Sequence, residues 1–73
     1  SYIISYNCFY TGLSYYKQNN LTKAFLYTQK AYQMSLSNHD KHKQVEFGSL
    51  LITIYLQLKE YNKVLEYGLK ILM

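Results

Sequence analysis

The most reactive side chains of the sequence lie in one short stretch near its middle. His39 and His42 flank Asp40 in "NHDKHK" (38–43), a spacing that could hold a metal ion on one helical turn. Two lysines lie in the same stretch, and their positive charge disfavours a bound cation. We therefore interpret the stretch as a loop between structural repeats and expect no metal site.

A single cysteine and a few carboxylates are the other candidates for chemistry. Cys8 could act as a nucleophile beside a histidine, but its apolar surroundings in the sequence indicate a buried, small hydrophobic residue. Glu60 and Glu66 lie in a helical pattern without a catalytic partner, and the chain contains no glycine-rich phosphate loop. We therefore predict a protein that is not an enzyme, with no catalytic residue and no cofactor.

The chain has the length of one small domain but an unusually apolar composition. It has 73 residues, of which 49% are hydrophobic and ten are tyrosine. A domain of this length buries only about 60% of its unfolded surface, so part of the apolar surface needs another neighbour. The chain begins at Ser1 and ends on the apolar "LKILM", and we expect it to be a fragment of a longer protein.

Charge and cysteine usage argue against several classes of protein. The net charge of +4 comes from eight lysines and four acidic residues, without the arginine that reads bases and phosphates. The lysines are spread along the chain, so we expect no direct contact with nucleic acid. The apolar run "LLITIYL" (50–56) is too short to span a membrane. A lone cysteine excludes an internal disulfide and favours a reducing compartment, so we predict a cytoplasmic protein.

The apolar spacing in the first half of the chain predicts two helices. The first runs from Ile3 to Lys17, and "KQNN" (17–20) ends it, with Asn20 placed to cap the next helix. The second helix ends near the turn-forming "SNHD" (37–40). Its apolar and small residues recur at helical spacing and form one stripe: Leu21, Ala24, Phe25, Thr28, Ala31, Tyr32 and Ser35.

The second half of the chain predicts two further helices. No turn signal interrupts residues 45–58, so we expect a helix there, although "ITIY" (52–55) alone would favour a strand. "LKEY" (58–61) breaks this helix, and the periodic segment 61–72 begins a fourth.

The second pair of helices repeats the first pair after 40 residues. A shift of 40 aligns Tyr15 with Tyr55 and Tyr27 with Tyr67, whereas a shift of 34 places apolar residues on lysines. We therefore predict an all-α fold of tandem antiparallel helical hairpins. The single domain, residues 1–73, would contain one hairpin at about 2–38 and another at about 41–73.

The spacing of four residues resembles the pattern of the tetratricopeptide repeats. Gly12, Tyr15, Ala24 and Ala31 stand three, nine and seven residues apart, as the small and aromatic positions of that family do. The resemblance implies a superhelix of hairpins in which Gly12 lets the first two helices approach closely. The sequence departs from the family at Ile52, which stands where Gly12 would recur after 40 residues.

The length of the repeat points to one branch of that family. A 40-residue period exceeds the usual 34 and is similar to the longer hairpins of bacterial peptide-pheromone receptors, the Rap-type phosphatases and PlcR-type regulators. This resemblance implies a bacterial protein that takes part in quorum sensing.

The resemblance also implies a partner-binding face on the first helix of each hairpin. We expect this face to bind a protein or an extended peptide through ring contacts and side-chain hydrogen bonds. Its candidate residues are Tyr6, Phe9, Leu13, Tyr16, Lys17, Thr53 and Gln57, with Glu46, Ser49 and Leu56 beside them.

Three functions remain open from the sequence. The first is a non-catalytic scaffold that binds a protein or peptide. The second is the peptide-sensing, regulatory region of a bacterial signalling phosphatase or transcription regulator. The third is an oligomerisation module, a homo-oligomer that buries its apolar ends against a second copy of the chain.

Overall fold

Residues 2–72 of the chain fold into four helices in the order expected from the sequence. The computed structural model describes residues 2–72, with side chains from residue 3 to residue 71, so Ser1 and Met73 of the predicted domain lie outside it. The helices are α1 (Tyr2–Lys17), α2 (Leu21–Ser37), α3 (Lys41–Gln57) and α4 (Tyr61–Leu72). They pack in chain order, and residues 2–72 contain no strand. The all-helical prediction is confirmed, and the superhelical array stays a prediction.

A left-handed residue ends the first helix. Asn19 has a φ of 62°, which an L-residue seldom adopts. The N–H groups of Asn19 and Asn20 donate to the carbonyls of Tyr16 and Tyr15 at 3.0 and 2.9 Å. This is a Schellman ending, in which one left-handed residue lets the last carbonyls of a helix accept hydrogen bonds.

The same turn recurs twice along the chain. His39 and Lys59 have φ values of 54° and 61°, with the same pattern of backbone hydrogen bonds. The side chains of Asn20 and Asp40 then cap α2 and α3, each accepting the N–H three residues ahead, at 3.3 and 3.1 Å. The predicted Asn20 cap is therefore confirmed. Because the left-handed residues stand at 19, 39 and 59, the structural unit is one helix and a three-residue turn.

Helix α2 buries the stripe that the sequence predicts. Ala24, Thr28, Ala31, Tyr32 and Ser35 are all buried, and they recur every three or four residues along one side of the helix. The two remaining residues of the predicted stripe, at 21 and 25, are half-buried. Small residues dominate this side because α1 and α3 both pack against it.

Helix α3 lies at the centre of the fold and contacts each of the other helices. Phe47, Leu51 and Ile54 have no exposed surface, because the neighbouring helices cover this side of α3. The helix begins at Lys41, close to the predicted start of the second hairpin and four residues before the uninterrupted segment 45–58 that indicated a helix. The Asp40 cap organises this first turn, which has no apolar residue.

Gly12 marks a close approach between α1 and α2, as expected. A Cβ atom at this position would lie 3.0 Å from the backbone nitrogen of Thr28 and 3.2 Å from the carbonyl oxygen of Ala24, and it would overlap Thr28 Oγ1. Backbone atoms cannot move aside as a side chain can. The helix propensity lost at Gly12 is therefore offset by close packing of two backbones.

Gly48 provides the corresponding contact in the second hairpin, which the sequence comparison missed. A Cβ atom there would overlap Ile71 Cδ1 and lie 3.2 Å from Tyr32 Cε1. Ile52, which occupies the position equivalent to Gly12, is half-buried beside the core. The glycine of α3 is therefore one helical turn closer to the N-terminus than the 40-residue shift indicates.

Candidate partner-binding face

Two hydrogen bonds connect α1 to α3 near their opposite ends. Tyr6 Oη donates to Glu46 Oε1 at 3.2 Å, and Gln57 Nε2 donates to Tyr16 Oη at 3.3 Å. The two helices therefore run side by side in the same direction. We call the surface along this line the α1/α3 face, and it comprises Tyr6, Leu13, Tyr16, Lys17, Glu46, Ser49, Thr53, Leu56 and Gln57.

The seven predicted site residues differ in how much of each is accessible on this face. Lys17 and Gln57 are exposed, and Phe9 is buried with only 8% of its surface accessible. The other four, which are half-buried, are Tyr6, Leu13, Tyr16 and Thr53. Of these seven residues, Tyr16 and Gln57 are joined by a hydrogen bond, although they are 41 residues apart in the sequence.

Phe9 supports the face from below. Its ring stacks on Phe47 of α3, with centroids 4.7 Å apart, and Phe47 also meets the edge of Tyr6 at 5.4 Å. Such ring contacts stabilise the α1–α3 packing beyond the area that they bury. Phe9 therefore supports Phe47, which contacts Tyr6, and leaves little of its own surface for a partner.

Tyr15 and Tyr16 point to different neighbours. The Tyr15 ring stacks on Tyr27 of α2 at 5.8 Å, whereas the Tyr16 hydroxyl accepts a hydrogen bond from Gln57 of α3. Tyr15 is half-buried, and it packs beside the core of the protein. Tyr16 is the tyrosine of this pair that contributes to the α1/α3 face.

The hydroxyls of α3 on this face are already hydrogen-bonded as donors. Ser49 Oγ donates to the Val45 carbonyl at 2.6 Å, and Thr53 Oγ1 donates to the Ser49 carbonyl at 2.9 Å. Each oxygen keeps lone pairs that can accept from a partner. Thr53 would therefore accept a backbone N–H of a bound chain more readily than it would donate to one.

Lys43 is a charged residue of this region that the sequence analysis placed in a loop. It is buried in the first turn of α3, with Nζ 3.7 Å from Asp40 Oδ2 and 5.1 Å from the centre of the Tyr6 ring. A cation over a ring face is attracted to its electrons. Lys23, Lys43 and Lys63 follow the turns at the same distance, and this 20-residue spacing could have revealed the residue.

The stretch 38–43 and Cys8, the two candidate chemical sites of the sequence, occupy structural positions in the fold. Asp40 caps α3, His39 has the left-handed backbone conformation of a turn, and His42 lies in the first turn of α3 rather than in the predicted loop. Residues 2–72 contain no group of three or more histidine, cysteine or acidic residues arranged to hold a metal ion. Cys8 is half-buried beside the core, less buried than expected.

A cluster of tyrosines joins α2, α3 and α4 away from the α1/α3 face. The Tyr67 ring lies 5.5 Å from Tyr55 and 5.6 Å from Tyr32. Burial is the main cause that raises the pKa of Tyr55 to about 12, and the neighbouring Tyr67 adds to the effect. Burial also raises the pKa of Tyr32. These phenols favour their neutral form in the folded protein.

Comparisons with known proteins identify no relative of this chain. No family pattern, no curated protein and no solved structure matches it. Within residues 2–72, none of the helices combines the length and the apolar character that crossing a membrane requires.

Proposed function

We propose that this protein is a non-catalytic scaffold whose α1/α3 face binds a protein or an extended peptide. The observation that carries the proposal is the alignment of α1 and α3 by the Tyr6–Glu46 and Tyr16–Gln57 hydrogen bonds. A continuous surface that combines rings, an amide and a charged end is suited to side-chain recognition of a chain in extended conformation.

The length of the face sets the length of the partner segment. Lys17 stands eleven positions after Tyr6 in α1, which is about 16 Å at the helical rise per residue. An extended chain covers this distance with about five residues. The partner would place an acidic group near Lys17, apolar side chains against Leu13 and Tyr16, and a backbone N–H at Thr53.

A displayed library of short random peptides tests the proposal with the 73-residue chain. Peptides selected on the wild-type chain should bind the Leu13→Ala and Tyr16→Ala variants at least about tenfold more weakly, a loss of about 1.4 kcal/mol for each. Leu26→Ala is the matched control, because Leu26 is an exposed leucine on α2. Equal binding by the wild type and both face variants, measured by calorimetry, would place the peptide site elsewhere.

An oligomerisation module is the second candidate function. Exposed apolar residues on α4, among them Leu65 and Leu69, favour it, because such residues can mediate self-association. Sedimentation velocity over a range of concentrations distinguishes the two functions. An oligomerisation module should self-associate as the concentration rises, whereas the scaffold should stay a monomer. The narrower hypothesis of a peptide-sensing region in a bacterial signalling phosphatase or transcription regulator depends on the tetratricopeptide resemblance alone. The proposal places the protein in the cytoplasm.

A further inference from the structure

Helix α4 presents apolar residues on two sides. Val64, Tyr67 and Ile71 pack against the core, with Ile71 only 8% exposed. Tyr61 and Leu65 lie on another side, where 61% and 64% of their surfaces are exposed. Leu69, 53% exposed, continues this side one turn later, and we call Tyr61, Leu65 and Leu69 the α4 stripe.

The charged side chains on the polar side of α4 form ion pairs within the helix. Lys63 and Lys70 lie 3.7 and 3.4 Å from the two carboxylate oxygens of Glu66. These three charged residues separate the α4 stripe from the core-facing side on one flank only. More than half of the circumference of α4 is therefore apolar, and the core covers only part of it.

The repeat relates the α4 stripe to residues of α2 that are covered. The left-handed residues Asn19 and Lys59 precede α2 and α4 at the same distance, so the two helices correspond residue by residue after a shift of 40. By this correspondence Leu65 occupies the position of Phe25. Phe25 is half-buried because the ring of Tyr55 in α3 covers it, with centroids 5.4 Å apart.

The corresponding contact on α4 would require a helix in the place that α3 takes on α2. We propose that the α4 stripe is the docking surface for an amphipathic helix of the same chemistry as α3. That helix would present a tyrosine ring to Leu65, as Tyr55 does to Phe25.

A second copy of the chain is a poorer occupant than such a helix. In a head-to-tail assembly, α1 of the copy would take the place of α3. Asn7 and Ser14 of α1 stand where α3 has the fully buried Phe47 and Ile54, and both are exposed. Burying these polar side chains without partners costs free energy, which an α3-like helix avoids.

A tandem extension of the chain tests this docking surface. A copy of residues 34–57 joined after Met73 continues the 40-residue register, because position 34 shifted by 40 is the first added position. The added segment completes α4, repeats the turn at His39 and supplies a second α3. In the extended chain, Leu65→Ser should lower Tm by about 8 °C or more. In the original chain the same substitution should change Tm by less than about 2 °C.

One control variant keeps the result specific. Leu26→Ser, at an exposed leucine of α2, should have the same small effect in both chains. Leu65→Ser effects that are equal in the two chains would overturn the proposal. So would a dimer of the original chain that Leu65→Ser dissociates, detected by sedimentation velocity, since a second copy would then be the occupant.

A synthetic peptide of residues 41–57 provides a second measurement if the extended chain does not fold. Added to the original chain, it should bind, and Leu65→Ser should weaken the binding at least about tenfold while Leu26→Ser does not. Absence of binding, measured by calorimetry, would overturn the proposal.

Discussion

The two hairpins have the same register but are held together by different atoms. In the first, Gly12 of α1 approaches backbone atoms of α2, at Thr28 and Ala24. In the second, the atoms nearest to Gly48 of α3 are side-chain atoms, of Ile71 in α4 and of Tyr32 in α2. A backbone contact fixes the distance between two helices, whereas a side-chain contact can adjust. The comparison predicts that the first hairpin tolerates change less than the second.

The largest expected effect is that of a large side chain at Gly12. Gly12→Leu should lower the free energy of unfolding by about 3 kcal/mol, because the added atoms overlap the backbone of α2. Urea unfolding followed by circular dichroism measures it. Gly68→Leu is the control, because a Cβ atom at Gly68 meets nothing within 4 Å. Equal stability of the two variants would show that the backbone contact at Gly12 does not constrain the first hairpin.

Alkaline pH should weaken the α2–α4 side of the protein. Because burial raises the pKa of Tyr55 from 10.0 to about 12, the folded state holds its proton more tightly than the unfolded state. This stability is fully present below pH 10 and is lost as the pH rises through about 12. Unfolding free energies measured at several pH values should show the loss. Tyr55→Phe should reduce the slope, and an unchanged slope would contradict the assignment to this phenol.

Alanine substitutions sharpen the comparison between the two glycines. Gly12→Ala should lower the free energy of unfolding by about 1–2 kcal/mol, and Gly48→Ala by less than about 1 kcal/mol. Ile71→Val removes the overlapping Cδ1 atom, so in this background Gly48→Ala should cost almost no unfolding free energy. In the Thr28→Ala background, Gly12→Ala should still lower the free energy of unfolding, though by less, because the backbone contacts remain. Double-mutant cycles measure both couplings, and equal restoration would show that the two contacts are alike.

The smallest expected effect is a gain at the third glycine. Gly68→Ala should raise the free energy of unfolding by about 0.5–1 kcal/mol, since alanine favours the helix and has open space there. Thermal unfolding measures the change. A loss of stability would mean that α4 packs more closely at this position than the structure indicates.

Much of the fold follows from the spacing of apolar residues. The stripe at Ala24, Thr28 and Ala31 predicts both the helix and its buried side, because small residues at helical spacing allow close packing. The cap at Asn20 follows from the residue type. The spacing of apolar residues does not locate the start of α3, because charged and polar residues fill its first turn. The Asp40 cap, which corresponds to Asn20 after twenty residues, is the signal that would have located it.

The candidate site was less accessible to prediction than the fold. Helical spacing predicts which side of α1 and of α3 each residue occupies, so the grouping of Tyr6 and Leu13 is expected. Periodicity does not give the pairing of Tyr16 with Gln57, because that hydrogen bond depends on how two helices approach. For the same reason it did not indicate that Phe9 is largely covered by Phe47. The binding role of this face stays a proposal.

The three identical turns have a consequence for how the sequence can vary. Their shape comes mainly from backbone hydrogen bonds, so Asn19, His39 and Lys59 serve equally well although their side chains differ. Substitutions at these positions should therefore be accepted during evolution where the new residue tolerates a left-handed backbone, as glycine and asparagine do and β-branched residues do not. A one-residue insertion or deletion is different, because it rotates the following helix by about 100° and turns its apolar stripe away from the core. The turns should accordingly drift in composition while their length stays constant.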